Sequence, residues 1–324
     1  MRLASILFLS LGLQLAAEEI EPPPKEVELP EPGPAPAVEP APVDPAPQDP
    51  IPDEAPPEVA AQTSVKITYA GPKVGDKTIR TVKNQMALEL EITGGKRSFT
   101  HANQLEETTS IAVTVLDAGK RAATKVKAEY LKDDHASNGP DGPEKVSQIV
   151  EGRSYIVANT RTGMEVYMPT GRQFAPPEEA ELVLLDFVEL GRVPKMSALL
   201  ADRTFIVGKT FHVPNKDAQG LFADAGTLKD LNLTLRSVRK EAGVDVAVFD
   251  VAVDFERRDG YLTYKAALKG EAAVVVNTAL PLRISVAGDM KVTGSKPAEG
   301  LLPEKTAEGK GTMKYSITND PSAK

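Results

Sequence analysis

From residue 65 onward, apolar and polar residues trade places at every second position. Met86, Leu88, Leu90 and Ile92 do so around Glu89 and Glu91. Over residues 123–131, Val126, Ala128 and Tyr130 share one face, and Lys125, Lys127 and Glu129 share the other. A period of two is that of an antiparallel strand with one face buried and one in water. Glycine-bearing turns punctuate the pattern at Gly71-Pro72, Gly75-Asp76, Gly94-Gly95, Asp117-Ala118-Gly119, Gly163 and Glu241-Ala242-Gly243. The same signals predict strands over 65–69, 78–93, 108–116, 123–131, 146–150, 154–158 and 164–168. They also predict strands over 204–207, 210–213, 228–238, 244–255, 260–268, 271–277 and 312–318. Residues 282–286 and 289–293 read as a pair turning at Gly288, and 295–311 as a polar loop. Long antiparallel strands on short turns curl or close to dispose of their edges. The expected fold is therefore mainly β: an antiparallel curved sheet or incomplete barrel.

One stretch breaks the rhythm. Residues 176–191 open on Pro176-Pro177, place Glu178 and Glu179 in a first helical turn, contain no internal Gly or Pro, and end at Gly191. These are helix start and stop signals, and the acids oppose the positive end of the helix dipole. The spacing predicts a central helix near 177–190. At 100° per residue Val183, Leu184, Phe187, Val188 and Leu190 share a broad face, while Leu182 and Leu185 fall among the acids opposite. A helix so apolar calls for cover on more than one side. Leu182, Leu185, Phe187 and Val188 are thus the candidate ligand- or core-facing residues.

The helix divides two β-rich halves that resemble each other. The ten residues from Glu151 to Thr160 align without a gap with those from Lys269 to Thr278, with Gly, Val, Asn and Thr recurring in place. This suggests two similar β-meanders, over 63–175 and 204–324, joined by a helical segment over 176–203.

The N-terminus is a different material. Arg2, an apolar run over 3–15 and Ala16-Ala17 before Glu18 have the layout of a secretory signal peptide over 1–17. Residues 18–62 hold 15 of the 27 prolines and, with 12 acids and one lysine, a net charge of −11. The whole chain carries −8, so apart from Arg2 the remainder carries +2. Such a composition cannot bury a core and reads as a disordered Pro/Glu-rich tail. Its Glu-Pro, Ala-Pro and Asp-Pro repeats resemble the periplasmic spacers of TonB-like proteins; extended, they span roughly 120 Å at about 3.1 Å per residue. The expected location is outside the cytoplasm, periplasmic or extracellular.

Several chemistries find no footing. The chain has no cysteine, which excludes a lipid anchor through Cys, disulfides, thiol catalysis and thiolate metal sites. His101, His135 and His212 stand in separate segments with no metal-ligand spacing. No nucleophile-elbow or phosphate-loop pattern occurs. The polar cluster over 133–142 brings Asp133, Asp134 and Asp141 together, oxygen donors of the kind calcium takes, but without the EF-hand spacing, so it reads as a loop. Basic residues are dispersed without interleaved aromatics, which argues against a nucleic-acid partner. No cofactor is implied.

A curved sheet filled by a helix on an exported chain resembles the LolA-type half-barrel class, whose members carry or contact lipidated partners. The resemblance implies a non-enzymatic binding or interaction protein of the bacterial cell envelope, holding an apolar ligand or a lipidated partner. The alternatives are an envelope-spanning linker that uses the Pro-rich tail, and a hydrolase with a dispersed site.

Overall fold

The computed structural model describes residues 64–94, 97–139, 142–218, 221, 227–297 and 304–321. The expected signal peptide and tail lie outside the described residues.

The chain folds into one large, open, antiparallel curved sheet. Its first meander comprises β2 (Lys77–Gly94), β3 (Arg97–Ala118), β4 (Ala123–Gly139), β5 (Gly142–Ser147), β6 (Ser154–Thr160) and β7 (Gly163–Tyr167). Its second comprises β9 (Thr210–His212), β10 (Thr227–Glu241), β11 (Val244–Asp259), β12 (Leu262–Val275), β13 (Pro281–Lys296) and β14 (Lys305–Asp320). The strands lie in the order β7-β6-β4-β3-β2-β14-β13-β12-β11-β10-β9, with β5 added to β4. The two meanders join where β2 pairs with β14 over sixteen residues, from Ile79↔Asp320 to Gly94↔Lys305. At 18 residues β2 is about 60 Å long.

Three helices are described: α1 (Pro177–Asp186), α2 (Lys195–Leu200) and α3 (Asn215–Ala218). A second, two-stranded sheet pairs β1 (Ser64–Lys66) with β8 (Thr204–Ile206).

The alternation seen in the sequence sorts every long strand into an inner apolar face and an outer polar one. Met86, Leu88, Leu90 and Ile92 of β2 point inward and are buried, as do Phe249, Val251, Val253 and Phe255 of β11. The inner face carries two clusters. The larger spans β2 and β10–β14; β1, β8, α2 and α3 lie on part of it. Phe205 of β8 meets Phe249 edge-on at 5.0 Å. The smaller lies on β3, β4, β6 and β7 under α1, with Val183 and Phe187 against Ile111, Tyr130, Tyr155 and Val157.

The expected helix is shorter than its signals suggested. It ends at Asp186, and the chain turns through 187–190 to Gly191 at φ 84°. It also packs on the smaller cluster, not between the two meanders. The reason is electrostatic as much as apolar: Glu179, in its first turn, is buried and takes hydrogen bonds from Arg153 and from Tyr155 Oη at 2.5 Å. Burial and the Glu179 contact push the Tyr155 phenol well above its ordinary value.

Four other expectations are corrected. Residues 281–296 are one strand running straight through Gly288, and residues 262–275 one strand running through Gly270. The expected loop over 295–311 is strand β14 from Lys305 onward. The expected polar loop after residue 131 is strand as far as Gly139.

Among the described residues the outer face carries a buried apolar island. Val246, Val248 and Ala273 point outward yet are fully covered. Over them lies a ladder of charges in the same rows: Arg236 to Asp250 and Glu271, then Arg283 to Glu271 and Glu241, with Arg239 also on Glu241. Arginine stems cover apolar surface while their heads stay wet. Hydrogen bonds from Arg283 and then Arg239 hold the Glu241 carboxyl down at about 2. A folded pKa depressed below the unfolded value adds stability that is full above the ordinary glutamate range and is lost as pH falls through the folded value. Urea midpoints measured from pH 6 down to pH 2 are therefore expected to fall less steeply for Glu241→Gln than for the parent chain. Parallel curves for the two proteins contradict this.

Candidate functional site

Between the two apolar clusters the inner face becomes polar. The cause is visible in the register: Asn84 on β2, Glu107 on β3 and His135 on β4 lie opposite one another in a single row across the sheet. Asn84 Nδ2 donates to Glu107 Oε2 at 3.1 Å, and His135 Nδ1 lies 3.3 Å from Glu107 Oε1. The next row holds Val82, Thr109 and Asp133. Thr109 Oγ1 donates to Asp133 Oδ1 at 2.9 Å, and the Asp133 backbone N–H donates to Glu151 Oε2 at 2.8 Å.

Two residues further along β2, Arg80 closes the seam. Its Nη2 donates to the Asp186 carbonyl at 3.0 Å and stands 3.8 Å from Asp186 Oδ1. Its guanidinium lies 5.4 Å from the Phe187 ring centre. Tyr130 Oη donates to Asp186 Oδ2 at 2.9 Å. Burial pushes the Tyr315 phenol, in the row of Asn84, well above its usual value. The end of α1 is thus held by a buried polar belt that crosses the inner face.

Beyond this belt the cover thins. Along β3 the inward residues are Ile111, Thr109, Glu107, Leu105, Asn103, His101 and Phe99. Ile111 and Leu105 are buried, whereas Phe99 is 52 % exposed. Its partner across the ladder, Ile92 of β2, is 2 % exposed. On β5, Val146 pairs with His135 and is also exposed. The inner face therefore opens to solvent at β3, β4 and β5 as a lip with apolar residues at its margin and the polar row at its base. A Phe and a Val left in water on a core-facing side are surface that a ligand or partner could cover.

A cavity of about 730 Å³ crosses the strands from β5 to β13 at the level of Met86, Leu105 and Met313. By strand alternation its walls are outward-facing residues, among them Gln85, Gln104, Ala136, Asp289 and Thr312, while Met86 and Leu105 turn their side chains to the core. It is a trough on the outer face, with Glu106, Glu144 and Asp289 and also Lys145 and Lys314 along its walls.

The residues singled out from the sequence scatter. Phe187 is buried under α1, Leu182 and Leu185 are half-buried, with Leu182 packed on the smaller cluster, and Val188 is exposed. None of them lines the lip. Asp133 and Asp134 follow each other on a strand and so face opposite sides. Asp133 turns inward, while Asp134 turns outward to Lys132 at 3.1 Å and Lys145 at 3.0 Å. Burial raises the Asp134 carboxyl, and the two lysines outweigh it, leaving it below its usual value. Asp141 lies outside the described residues. Among the described residues no group of three metal-ligating side chains converges. The three histidines fall on β3, β4 and β9.

Glu107 and Asn84 escaped the sequence reading. The signal was there: both continue the inward phase of strands whose other inward positions are apolar, and a polar side chain in core phase needs an explanation.

The fold defines the chain as an open, curled antiparallel-sheet protein. No family model matches it, and no curated protein matches it. Lipovitellin, solved in a study of its lipid–protein interactions, aligns at 9 % identity and a TM-score of 0.33, over 77 % of this chain and 26 % of that one. This chain thus spans about a quarter of lipovitellin. DynF from the dynemicin biosynthesis pathway of Micromonospora chersina aligns at 10 % identity and 0.18, over 77 % and 88 % of the two chains. A DUF1329 family protein from Desulfovibrio piger aligns at 11 % and 0.13, over 70 % and 83 %. Likenesses this loose describe β-rich architecture and carry no argument about function.

Proposed function

We propose that the chain is an exported, non-enzymatic binding protein of the cell envelope that holds an apolar ligand, or the acyl chain of a lipidated partner, on the open lip of its curled sheet. The observation that carries this is the change of cover along β3: an inner face buried at Ile111 and Leu105 stands open at Phe99, with Val146 exposed on β5. Covering these two side chains gains on the order of 25 cal/mol for each Å² of apolar surface removed from water. The half-barrel class that the sequence resembles is in line with such a role, and the signal-like N-terminus with such a location.

The test is binding of a fluorescent fatty-acyl probe to the full chain, beside native mass spectrometry for co-purified lipid. The double substitution Phe99→Asp, Val146→Asp changes only exposed side chains and is expected to leave the melting temperature within about 2 °C, since exposed changes cost little. Probe affinity is expected to drop by roughly ten-fold or more, the worth of ~1.4 kcal/mol. A parent chain that binds no probe, or a variant that binds it equally well, sinks the reading.

A further inference from the structure

The base of the lip has its own chemistry, and it is one-sided. Glu107 is half-buried, its side chain 16 % exposed, and its only charge partner among the described residues is His135. Arg80, the arginine nearest this row on β2, is engaged with Asp186. Asn84 is 2 % exposed, and its Oδ1 is buried with no hydrogen-bond partner among the described residues. Its orientation is fixed. A carboxylate only accepts, so the Asn84 amide must turn its NH₂ to Glu107 Oε2, and the Oδ1 is left as an acceptor. A buried carbonyl oxygen without a donor is an unmet acceptor that a ligand's N–H can satisfy. Ser137, two residues from His135 on the same face of β4, adds a hydroxyl to the row below.

We propose that this row is a headgroup site for an amphiphile bearing a protonated amine, whose apolar chain lies along the lip toward Leu105 and Phe99. The ammonium displaces the His135 ring from Glu107, pairs with the carboxylate, and gives an N–H to Asn84 Oδ1. Three donors and a positive charge match a carboxylate and an orphan carbonyl; an anionic headgroup meets the like charge of Glu107. The proposal rests on the lip being the binding surface, and its test separates the two.

The measurement is displacement of the fluorescent acyl probe from the full chain by dodecylamine, dodecanoate and dodecanol, which share a chain and differ in headgroup. Dodecylamine is expected to bind at least roughly ten-fold tighter than the other two, the worth of a charge-assisted hydrogen bond. Glu107→Gln is expected to erase that preference. Equal binding of the three, or tighter binding of dodecanoate, overturns the headgroup site and leaves the lip standing; no binding of any of them overturns both. Should Glu107→Gln not fold, the order of the three ligands on the parent chain decides alone.

Discussion

Gly288→Ala is expected to destabilise the fold by about 3 kcal/mol or more, a large part of the 5–15 kcal/mol a domain of this kind holds. In an ordinary strand the same change is mildly favourable, because Ala loses less backbone entropy than Gly. Here a Cβ on Gly288 would overlap the Ala267 carbonyl oxygen on β12, and the obstacle is backbone that cannot rotate away. The position is not isolated. Gly270 on β12 would meet the Ser285 carbonyl, and Gly311 on β14 the Ala87 carbonyl. Each is displaced by two residues from its neighbour: Gly288 pairs with Leu268 and Met313, two positions from Gly270 and Gly311. The three make a diagonal across the inner face of β12, β13 and β14. Glycines set obliquely on the concave side let a sheet bend sharply. Chemical denaturation followed by circular dichroism checks this, with Gly94→Ala as the companion. A Cβ on Gly94 makes only an ordinary 3.5 Å contact with the Lys305 stem, so that change should stay within about 0.5 kcal/mol. Equal midpoints for the two variants would remove the glycine diagonal as the cause of the curl.

These glycines also mark the limit of what could be read from the sequence. Alternation assigned the inner and outer faces of the strands it located, because a period of two survives wherever one face is buried. The local pattern predicts a turn at Gly288 and a break between strands at residues 269–270, and the chain runs straight through both. Local signals cannot distinguish a glycine that bends the chain back from one that lets a neighbouring strand approach, since the difference lies in residues far away in sequence. A true turn is legible when its geometry is local. Ala242 and Gly243 both take positive φ, 46° and 84°, as the two-residue hairpin between β10 and β11 requires.

The polar belt was missed for a related reason. Asn84, Glu107 and His135 are far apart in the chain and meet only because β2, β3 and β4 pair in one register. Asp133 and Asp134 show the converse. Adjacent acids suggested one cluster, and a strand through them sends their side chains to opposite faces. The helix was legible in type and start, from Pro177 and its two acids, but not in its target. Apolar residues around its circumference asked for cover without saying which part of the sheet supplies it. The answer lay in Glu179, a helix residue read only as a dipole partner.

Glu179→Ala is expected to cost about 2–3 kcal/mol and to loosen α1 from the first meander while the larger core stays intact. Its carboxylate is the buried meeting point of Arg153 from the turn before β6 and Tyr155 on β6 itself. Removing it leaves the Tyr155 hydroxyl, which is fully buried, without its acceptor, at about 1–3 kcal/mol. Arg153 is half exposed and regains water, so its share is small. Tyr155→Phe deletes the orphaned hydroxyl while keeping the ring that meets Tyr130 edge-on at 5.9 Å. The double variant should therefore be less than additive, with about 1 kcal/mol of coupling. Hydrogen exchange then tells where the loss falls. Amides of α1, β6 and β7 should exchange faster, and those of β11, β12 and β13 should keep their protection, because α1 shares a cluster with the former group only. Uniform acceleration across both meanders would mean that the polar belt couples the two cores into one cooperative unit, with Arg80 and Asp186 as the link.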